Sequence, residues 1–225
     1  MNKWLIKGKC KWQAANCSNN ELKLYNKAFL SLLDLPVNKI PLLALDLEMT
    51  GLDPLKDQII SIGTVPIIDG KICLAQAQHK LLKIEGSVGQ SATIHGVLDN
   101  HLQQALTLQE ALQWLLEQAT GKIIVAHHSP LDLRFIEQAL KNNFNEKCKL
   151  FAFDTLQIER KRLLRKQEMI KNGELRLGAC RERYSLPVYN AHNALIDALA
   201  CAELLLAQIA AIAGEEEIKA ADLIS

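Results

Sequence analysis

The chain has 225 residues, enough for one substantial domain, and 49% hydrophobic with 23% charged residues is ordinary for a soluble globular protein. This composition excludes the disordered and fibrous classes. The formal net charge is only +1, so a nucleic-acid partner is not indicated by composition and has to be argued from a site. The six cysteines form neither a CxxC pair nor a Cys/His cluster, which argues against a zinc site or a disulfide framework.

The N-terminus carries lysines at positions 7, 9 and 11 and has no apolar stretch of signal-peptide length before them. We therefore expect the protein to remain in the cytoplasm. Residues 198–214 are almost wholly apolar, but Glu203 and Gln208 interrupt them. This stretch predicts a buried core helix and no membrane span.

Residues 1–40 predict an N-terminal helical extension with a linker. Ser18 to Glu21 form a capping-box pattern that opens an amphipathic helix, and Pro36 and Pro41 bracket the linker. Residues 41–213 are predicted to form the main domain, and residues 214–225 a C-terminal tail.

The main domain alternates strand and helix patterns after an opening group of strands. Strands are predicted at residues 42–47, 58–68, 71–77, 122–126 and 151–153, and helices after Thr107, after Ser129-Pro130, after Asp154 and over residues 193–213. Asp154, followed by Gln157, is interpreted as a helix N-cap. The order predicts an α/β fold with a mixed sheet flanked by helices.

Acidic residues in apolar surroundings are the first candidates for chemistry. Asp46 and Glu48 lie two apart in a predicted strand, a spacing that points both carboxylates to one face, where they could hold one cation. An edge strand with its polar face in water is the alternative. The Met49-Thr50-Gly51-Leu52 turn after the strand offers backbone donors to a phosphate or nucleotide.

Two further acids and one histidine are candidates in predicted helices or beside them. Asp132 falls in the first turn after Ser129, where helix capping by itself is the favoured explanation. Asp197 lies in a helix that is apolar on both faces, where an unpaired carboxylate would cost several kcal/mol, so it needs a metal or a distant cation. His192 precedes it by five residues and is expected before the helix, in a loop, where a plain surface or capping role is the alternative.

Together the segments DLEMTG, HHSPLD and HNALID resemble, in order and context, the three exonuclease motifs of the DEDD superfamily, in the subgroup whose third motif is His followed five residues later by Asp. The segment TIHGV at residues 93–97 and RYSLPVYNAH at 183–192 support the resemblance, which covers about residues 40 to 212. The sequence resembles in particular the proofreading epsilon subunits of bacterial DNA polymerase III and their free-standing homologues. A ribonuclease H-like fold is what the resemblance implies.

The resemblance also implies a site with two Mg²⁺ or Mn²⁺ ions. Asp46, Glu48, Asp132 and Asp197 would be their ligands, and His192 would take a proton from the attacking water. The pocket for the terminal nucleotide would involve Met49, Thr50, Gly51, His95 and Leu131.

The implied activity is 3'-to-5' exonuclease cleavage of single-stranded or frayed 3' ends, with DNA the main substrate and RNA a further one. A DNA polymerase or another replication or repair protein is the implied partner. Two alternatives stay open: an oligoribonuclease-like enzyme for short RNA, whose first motif also reads DLEMTGLD, and a catalytically weak binding module acting on a polymerase. The basic stretch 159–183 either follows a phosphate backbone or forms a solvated helix face.

Overall fold

The computed structural model describes residues 3–85, 105–165, 169–190, 192–212 and 218–224. In this part of the chain the helices are α1 (Lys3–Asn16), α2 (Asn20–Leu32), α3 (Leu108–Ala119), α4 (Ser129–Phe144), α5 (Thr155–Leu164), α6 (Leu177–Glu182), α7 (Ala194–Ile212) and α8 (Ala220–Leu223). The strands are β1 (Leu42–Met49), β2 (Ile59–Ile68), β3 (Lys71–Ile72), β4 (Gln78–Leu81), β5 (Ile123–Ala126) and β6 (Ala152–Asp154).

The strands form one mixed sheet in the order β3-β2-β1-β5-β6, with β4 also pairing with β2. The β1–β2 pair is antiparallel, whereas β5 runs parallel to both β1 and β6. The predicted mixed sheet flanked by helices is thus confirmed. Because β1, β5 and β6 run the same way, their carboxyl ends meet at one edge of the sheet, the usual location of ligand sites in such folds.

Helix α7 packs along β1 and β2 and buries Ala198, Cys201 and Leu205 there. By length and apolarity alone this helix could cross a membrane. Its position against the sheet agrees with the core helix predicted from the sequence. Alanine and cysteine are small, so the helix axis comes close to the strands.

The N-terminal helices share the core of the sheet. Ile6 of α1 and Phe29 of α2 are fully buried, and the ring of Phe29 stacks on Phe151 with 6.0 Å between centroids. The buried Gln13 amide donates to Asn26 Oδ1 at 2.8 Å and to the Lys149 carbonyl at 3.1 Å. The domain division at residue 40 stays a prediction, but these helices pack against the main domain.

Several local predictions differ from the structure. The N-cap of α2 is Asn19, whose side chain accepts the Leu22 N–H, because Glu146 holds the N–H groups of Ser18 and Asn19. The strand predicted at 71–77 ends at Ile72, and the chain continues through a short turn into β4, which the sequence analysis missed. The Thr107 capping box is confirmed.

One glycine sets the distance between α7 and the sheet. Gly63 of β2 lies opposite Asp46 of β1, on the face covered by the start of α7. A Cβ built at Gly63 would lie 2.1 Å from the carbonyl oxygen of Ala194 and 2.4 Å from the nitrogen of Leu195. The contact is backbone to backbone, so neither partner can rotate away.

We expect Gly63→Ala to push the first turn of α7 away from β2, with a loss of about 1–3 kcal/mol in the free energy of unfolding, as for other overpacked sites. The measurement is urea unfolding followed by circular dichroism. Gly178→Ala is the matched control, because a Cβ at that position of α6 meets nothing within 4 Å. This substitution also replaces a glycine, which disfavours helix, by a good helix former. Equal stability of the Gly63 variant and the wild type would contradict the close contact.

Candidate functional site

Asp46 and Glu48 project from one face of β1, as their spacing predicts. Glu48 is buried and Asp46 partly buried, and both lie on the face toward α7. One carboxylate oxygen from each of Asp46, Glu48 and Asp197 lies within 4.8 Å of the corresponding oxygens of the other two residues. The edge-strand alternative is therefore wrong, because β1 lies inside the sheet between β2 and β5.

Asp197 lies in the first turn of α7, and the short chain before it is tied down locally. The side chain of Asn193 accepts the N–H groups of Leu195 and Ile196 at 3.1 and 3.2 Å, which caps the helix. The backbone N–H of His192 donates to Asp197 Oδ2 at 2.9 Å. His192 has a φ of +71° and precedes the helix, as predicted.

Asp132 lies in the first turn of α4 and is buried, at the carboxyl end of β5. Its predicted capping arrangement is wrong: the N-cap is His128 in a left-handed conformation with a φ of +67°, and Ser129 is already helical. Asp132 is not among the three acids whose oxygens lie within 4.8 Å of each other. Its charge is nevertheless, after burial, the largest cause that raises the pKa of Asp46.

These four acids share a shift of pKa in the same direction. Burial, with a smaller effect from Asp197, raises the pKa of Glu48 to about 7. Burial raises the pKa of Asp132 to about 8, helped by the charges of Asp154 and Glu48. Burial and three neighbouring carboxyls raise the pKa of Asp46, and burial raises that of Asp197. Acids brought together without a cation repel one another, so they favour protons.

The donor set fits a divalent metal ion. All the groups are carboxylate oxygens, which are the ligands that hard cations such as Mg²⁺ and Mn²⁺ prefer. The raised pKa values are those expected of acids whose charges a bound cation would compensate. The cluster of Asp46, Glu48 and Asp197 is therefore compatible with divalent metal binding.

Asp154 links the carboxyl ends of β5 and β6. As predicted, it caps its helix, α5: its Oδ1 accepts the N–H groups of Leu156 at 2.9 Å and Gln157 at 3.3 Å. The same oxygen accepts the His128 N–H at 3.0 Å, a contact that the sequence did not reveal. This bond holds the left-handed turn that starts α4 and so orients Asp132.

The turn after β1 is fixed by Asp57, a residue that the sequence analysis missed. Its carboxylate accepts the Thr50 hydroxyl at 3.3 Å and the Asp53 N–H at 2.9 Å. A Cβ at Gly51 would lie 2.4 Å from this carboxylate, so a larger residue there would displace the Asp57 side chain. The Thr50 N–H donates to the Gln58 carbonyl, and the Thr50 hydroxyl accepts the Gln58 N–H at 2.9 Å, so both groups hold the turn.

The remaining predicted contact residues are less completely placed. Met49, after Glu48, and Leu131, before Asp132, are half-buried against the core. His95 and the segment around it lie outside the described residues. The described structure thus brings together Asp46, Glu48, Asp197 and Asp132, with His192 beside Asp197.

Comparison with known proteins gives a consistent result. The family model described as Exonuclease (RNase_T) matches residues 43–205. A DNA polymerase III PolC-type of Thermotoga petrophila is 31% identical over 163 residues, which are 72% of this chain but only 11% of that protein. The DNA polymerase III subunit epsilon of Buchnera aphidicola subsp. Baizongia pistaciae is 29% identical over 168 residues, 69% of this chain and 65% of that protein.

Solved structures show the same fold. Exonuclease X in complex with 5' overhanging duplex DNA matches with a TM-score of 0.60 at 22% identity. The matched region covers 81% of this chain and 98% of the exonuclease X chain. Cell-death related nuclease 4 matches with a TM-score of 0.63 at 19% identity, over 76% of this chain and 64% of the nuclease chain. The predicted ribonuclease H-like fold is confirmed by these neighbours. With the family model matched over most of its length, the chain belongs to the RNase_T exonuclease family.

Proposed function

We propose that this protein is a 3'-to-5' exonuclease that hydrolyses the terminal phosphodiester bond of nucleic acid and releases nucleoside monophosphates. The observation that carries the proposal is the meeting of Asp46, Glu48 and Asp197 within 4.8 Å, with Asp132 close by, at the carboxyl edge of a sheet of this family. DNA is the main expected substrate and RNA a further one. Relatives named for DNA polymerase III support DNA.

The four carboxylates would hold two divalent cations, Mg²⁺ or Mn²⁺. Asp46, Glu48, Asp132 and Asp197 would supply the carboxylate oxygens that hold them. When bound, such a pair stabilises the attacking and the leaving oxygen of an in-line displacement. The surrounding protein holds the carboxylates in place through β1, α4 and α7, so little reorganisation is needed when substrate binds.

His192 would accept the proton of the attacking water, and the chain would then belong to the His-containing subgroup. The segment before it is anchored by Arg181, which is buried and donates to the carbonyls of Ala200 and Pro187 at 2.6 and 2.8 Å. Arg181 also pairs with Glu203 at 2.7 Å, and Glu203 accepts the Tyr189 hydroxyl at 2.9 Å. This network fixes the chain up to Tyr189, so that only a short connection carries His192.

The terminal nucleotide would contact Met49, Thr50, Gly51, His95 and Leu131. Only Met49 separates the Thr50-Gly51 turn from Glu48, so a nucleotide against the turn would have its phosphate at the carboxylates. A polymerase or another replication or repair protein is the proposed partner, because a polymerase subunit is among the relatives. The cytoplasm is the proposed location.

The test of this function is hydrolysis of 5'-labelled single-stranded DNA and RNA with Mg²⁺, with Mn²⁺ and with EDTA. We expect shortening from the 3' end that stops in EDTA. Replacing any one of Asp46, Glu48, Asp132 and Asp197 by Ala removes most activity, because each holds a cation. Asp34→Ala is the control, since Asp34 pairs with Lys3 and Lys7 on the surface. Full activity in two of the four variants contradicts the site.

Metal binding should stabilise the fold in a pH-dependent way. The pKa of Glu48 is raised to about 7 and that of Asp132 to about 8, so protonation favours the folded form. Their contribution to stability is complete below their ordinary values of 4.5 and 3.8 and is lost as the pH rises through 7 and 8. Above that range a cation binds the charged form and replaces the lost stability.

We therefore expect Mn²⁺ to raise the thermal unfolding temperature strongly at about pH 8.5 and little at about pH 5.5. Thermal scans with and without Mn²⁺ at several pH values measure this difference. Asp34→Asn should keep the pH dependence and Asp132→Asn should reduce it. An equal Mn²⁺ effect at both pH values would show that these carboxyls do not bind the ion.

The His192 role separates proton transfer from metal binding. We expect His192→Ala to keep the Mn²⁺-induced rise in unfolding temperature, because the carboxylates hold the ions, and to lose roughly 10²- to 10⁴-fold in turnover. His192→Glu should recover part of the loss, since a carboxylate also accepts a proton. Single-turnover rates and thermal scans measure the two effects. Loss of the metal effect, with turnover restored by excess Mn²⁺, would identify His192 as a ligand.

A further inference from the structure

A cavity of about 840 Å³ opens beside the candidate catalytic site. Its walls come from the β5–α4 turn at His127 and His128, from one side of α5, and from the segment 169–176 before α6. None of its wall residues has been used in the proposed chemistry. The chemical character of the walls indicates what it binds.

The charged side chains of the cavity wall are all basic. Arg160, Lys171 and Arg176 contribute to the wall, and among the described residues no aspartate or glutamate does. In the described part of the chain, none of these three side chains forms an ion pair. An array of cations facing one space attracts a polyanion.

Other basic residues of the same stretch behave differently. Arg162 and Arg183 both pair with the buried Glu159, at 2.6 and 3.4 Å, and Arg181 pairs with Glu203. The Tyr184 hydroxyl also donates to Glu159, at 2.9 Å. The paired arginines of this stretch thus hold α5, α6 and α7 together, whereas Arg160, Lys171 and Arg176 face the cavity.

The cavity also has apolar surface suited to nucleobases. Leu156, Leu164 and Met169 form part of its wall, and the last two are 45% and 78% exposed. Large apolar side chains that remain this exposed next to cations offer contact to the flat face of a base while the cations contact phosphates. The combination is typical of surfaces that bind single strands.

The position of the cavity connects it to the carboxylates. His128, at its inner end, is the N-cap of α4, and Asp132 lies four residues later in the first turn. Four residues rise about 6 Å along a helix axis. A strand with its terminal phosphodiester at Asp132 would therefore reach the cavity with the nucleotides that precede the scissile bond.

We infer that this cavity binds the phosphodiester backbone of the nucleotides on the 5' side of the scissile bond, through Arg160, Lys171 and Arg176. The inference rests on the proposed exonuclease function and adds the strand path to it. The phosphate chemistry is common to DNA and RNA, so the site is expected to accept both single strands. Its contribution is to affinity for longer strands and not to the chemical step.

The test uses the full chain with Arg160→Gln, Lys171→Gln and Arg176→Gln combined. Fluorescence anisotropy in EDTA measures its affinity for labelled single-stranded DNA and RNA of about 12 nucleotides over a range of KCl concentrations. We expect binding about tenfold weaker or more at low salt. The plot of log affinity against log salt should be less steep by about 2, as expected when three phosphate contacts to a single strand are lost.

A second measurement in the same variant separates binding from folding. Hydrolysis of the p-nitrophenyl ester of thymidine 5'-monophosphate, which has no preceding nucleotide, should equal that of the wild type in Mn²⁺. The matched control replaces Lys27, Lys71 and Lys161 by Gln, because these exposed lysines lie away from the cavity wall. It should keep the affinity for the oligonucleotides.

Unchanged affinity and salt dependence in the cavity variant would overturn the inference, and so would ester hydrolysis that falls in parallel with affinity. Weakened binding of only one of the two nucleic acids would restrict the site to that one. If the wild type hydrolyses neither the ester nor an oligonucleotide with metal, the proposed function fails. The binding experiment in EDTA still decides on the cavity in that case.

Discussion

The contact between the backbone of Gly63 and the first turn of α7 controls the geometry of the site. Asp46 and Glu48 belong to β1, whereas Asp197 belongs to a helix that begins almost 150 residues later in the chain. They meet because α7 approaches the sheet at a position where no side chain separates the two backbones. The small residues of α7 that face the strands continue this close packing along the helix.

Bringing these acids together has an electrostatic cost. Burial raises the pKa of Glu48, Asp132 and Asp46, so in the absence of a cation the cluster favours protons over charge. The apolar core of β1, β2 and β5 and the capped starts of α5 and α7 offset this cost. A site of this kind is stabilised by what it binds, which couples metal affinity, pH and folding stability.

Two aspartates that are not proposed metal ligands fix the backbone around the site. Asp154 caps α5 and, through the same oxygen, holds the His128 N–H at the start of α4. Asp57 fixes the Thr50-Gly51 turn, which only Met49 separates from Glu48. Both therefore act on the position of a candidate ligand through the backbone. Substitutions at these positions are expected to alter the site without removing any of its four carboxylates.

The family, the fold class and the identity of the acids could be predicted from the sequence because each depends on neighbours in the chain. The period of a strand places Asp46 and Glu48 on one face, and an apolar helix makes Asp197 conspicuous. The capping boxes were less certain: that of Thr107 is confirmed, whereas Ser18 and Ser129 are not N-caps. Glu146 and Asp154, both distant in sequence, hold the backbone at those two helix starts.

Tertiary structure alone decided which residues support the site. Nothing in the local pattern distinguishes Gly63 from another strand glycine, or Arg160 from Arg162. Gly63 differs because its backbone contacts Ala194, and Arg162 differs because it pairs with Glu159. Both contacts join residues that only the folded chain brings together. The sequence thus determined which chemical groups were available. Packing between distant segments decided which carboxylates meet, which cations are neutralised and which face the cavity, because distances between such segments are fixed only by the folded core.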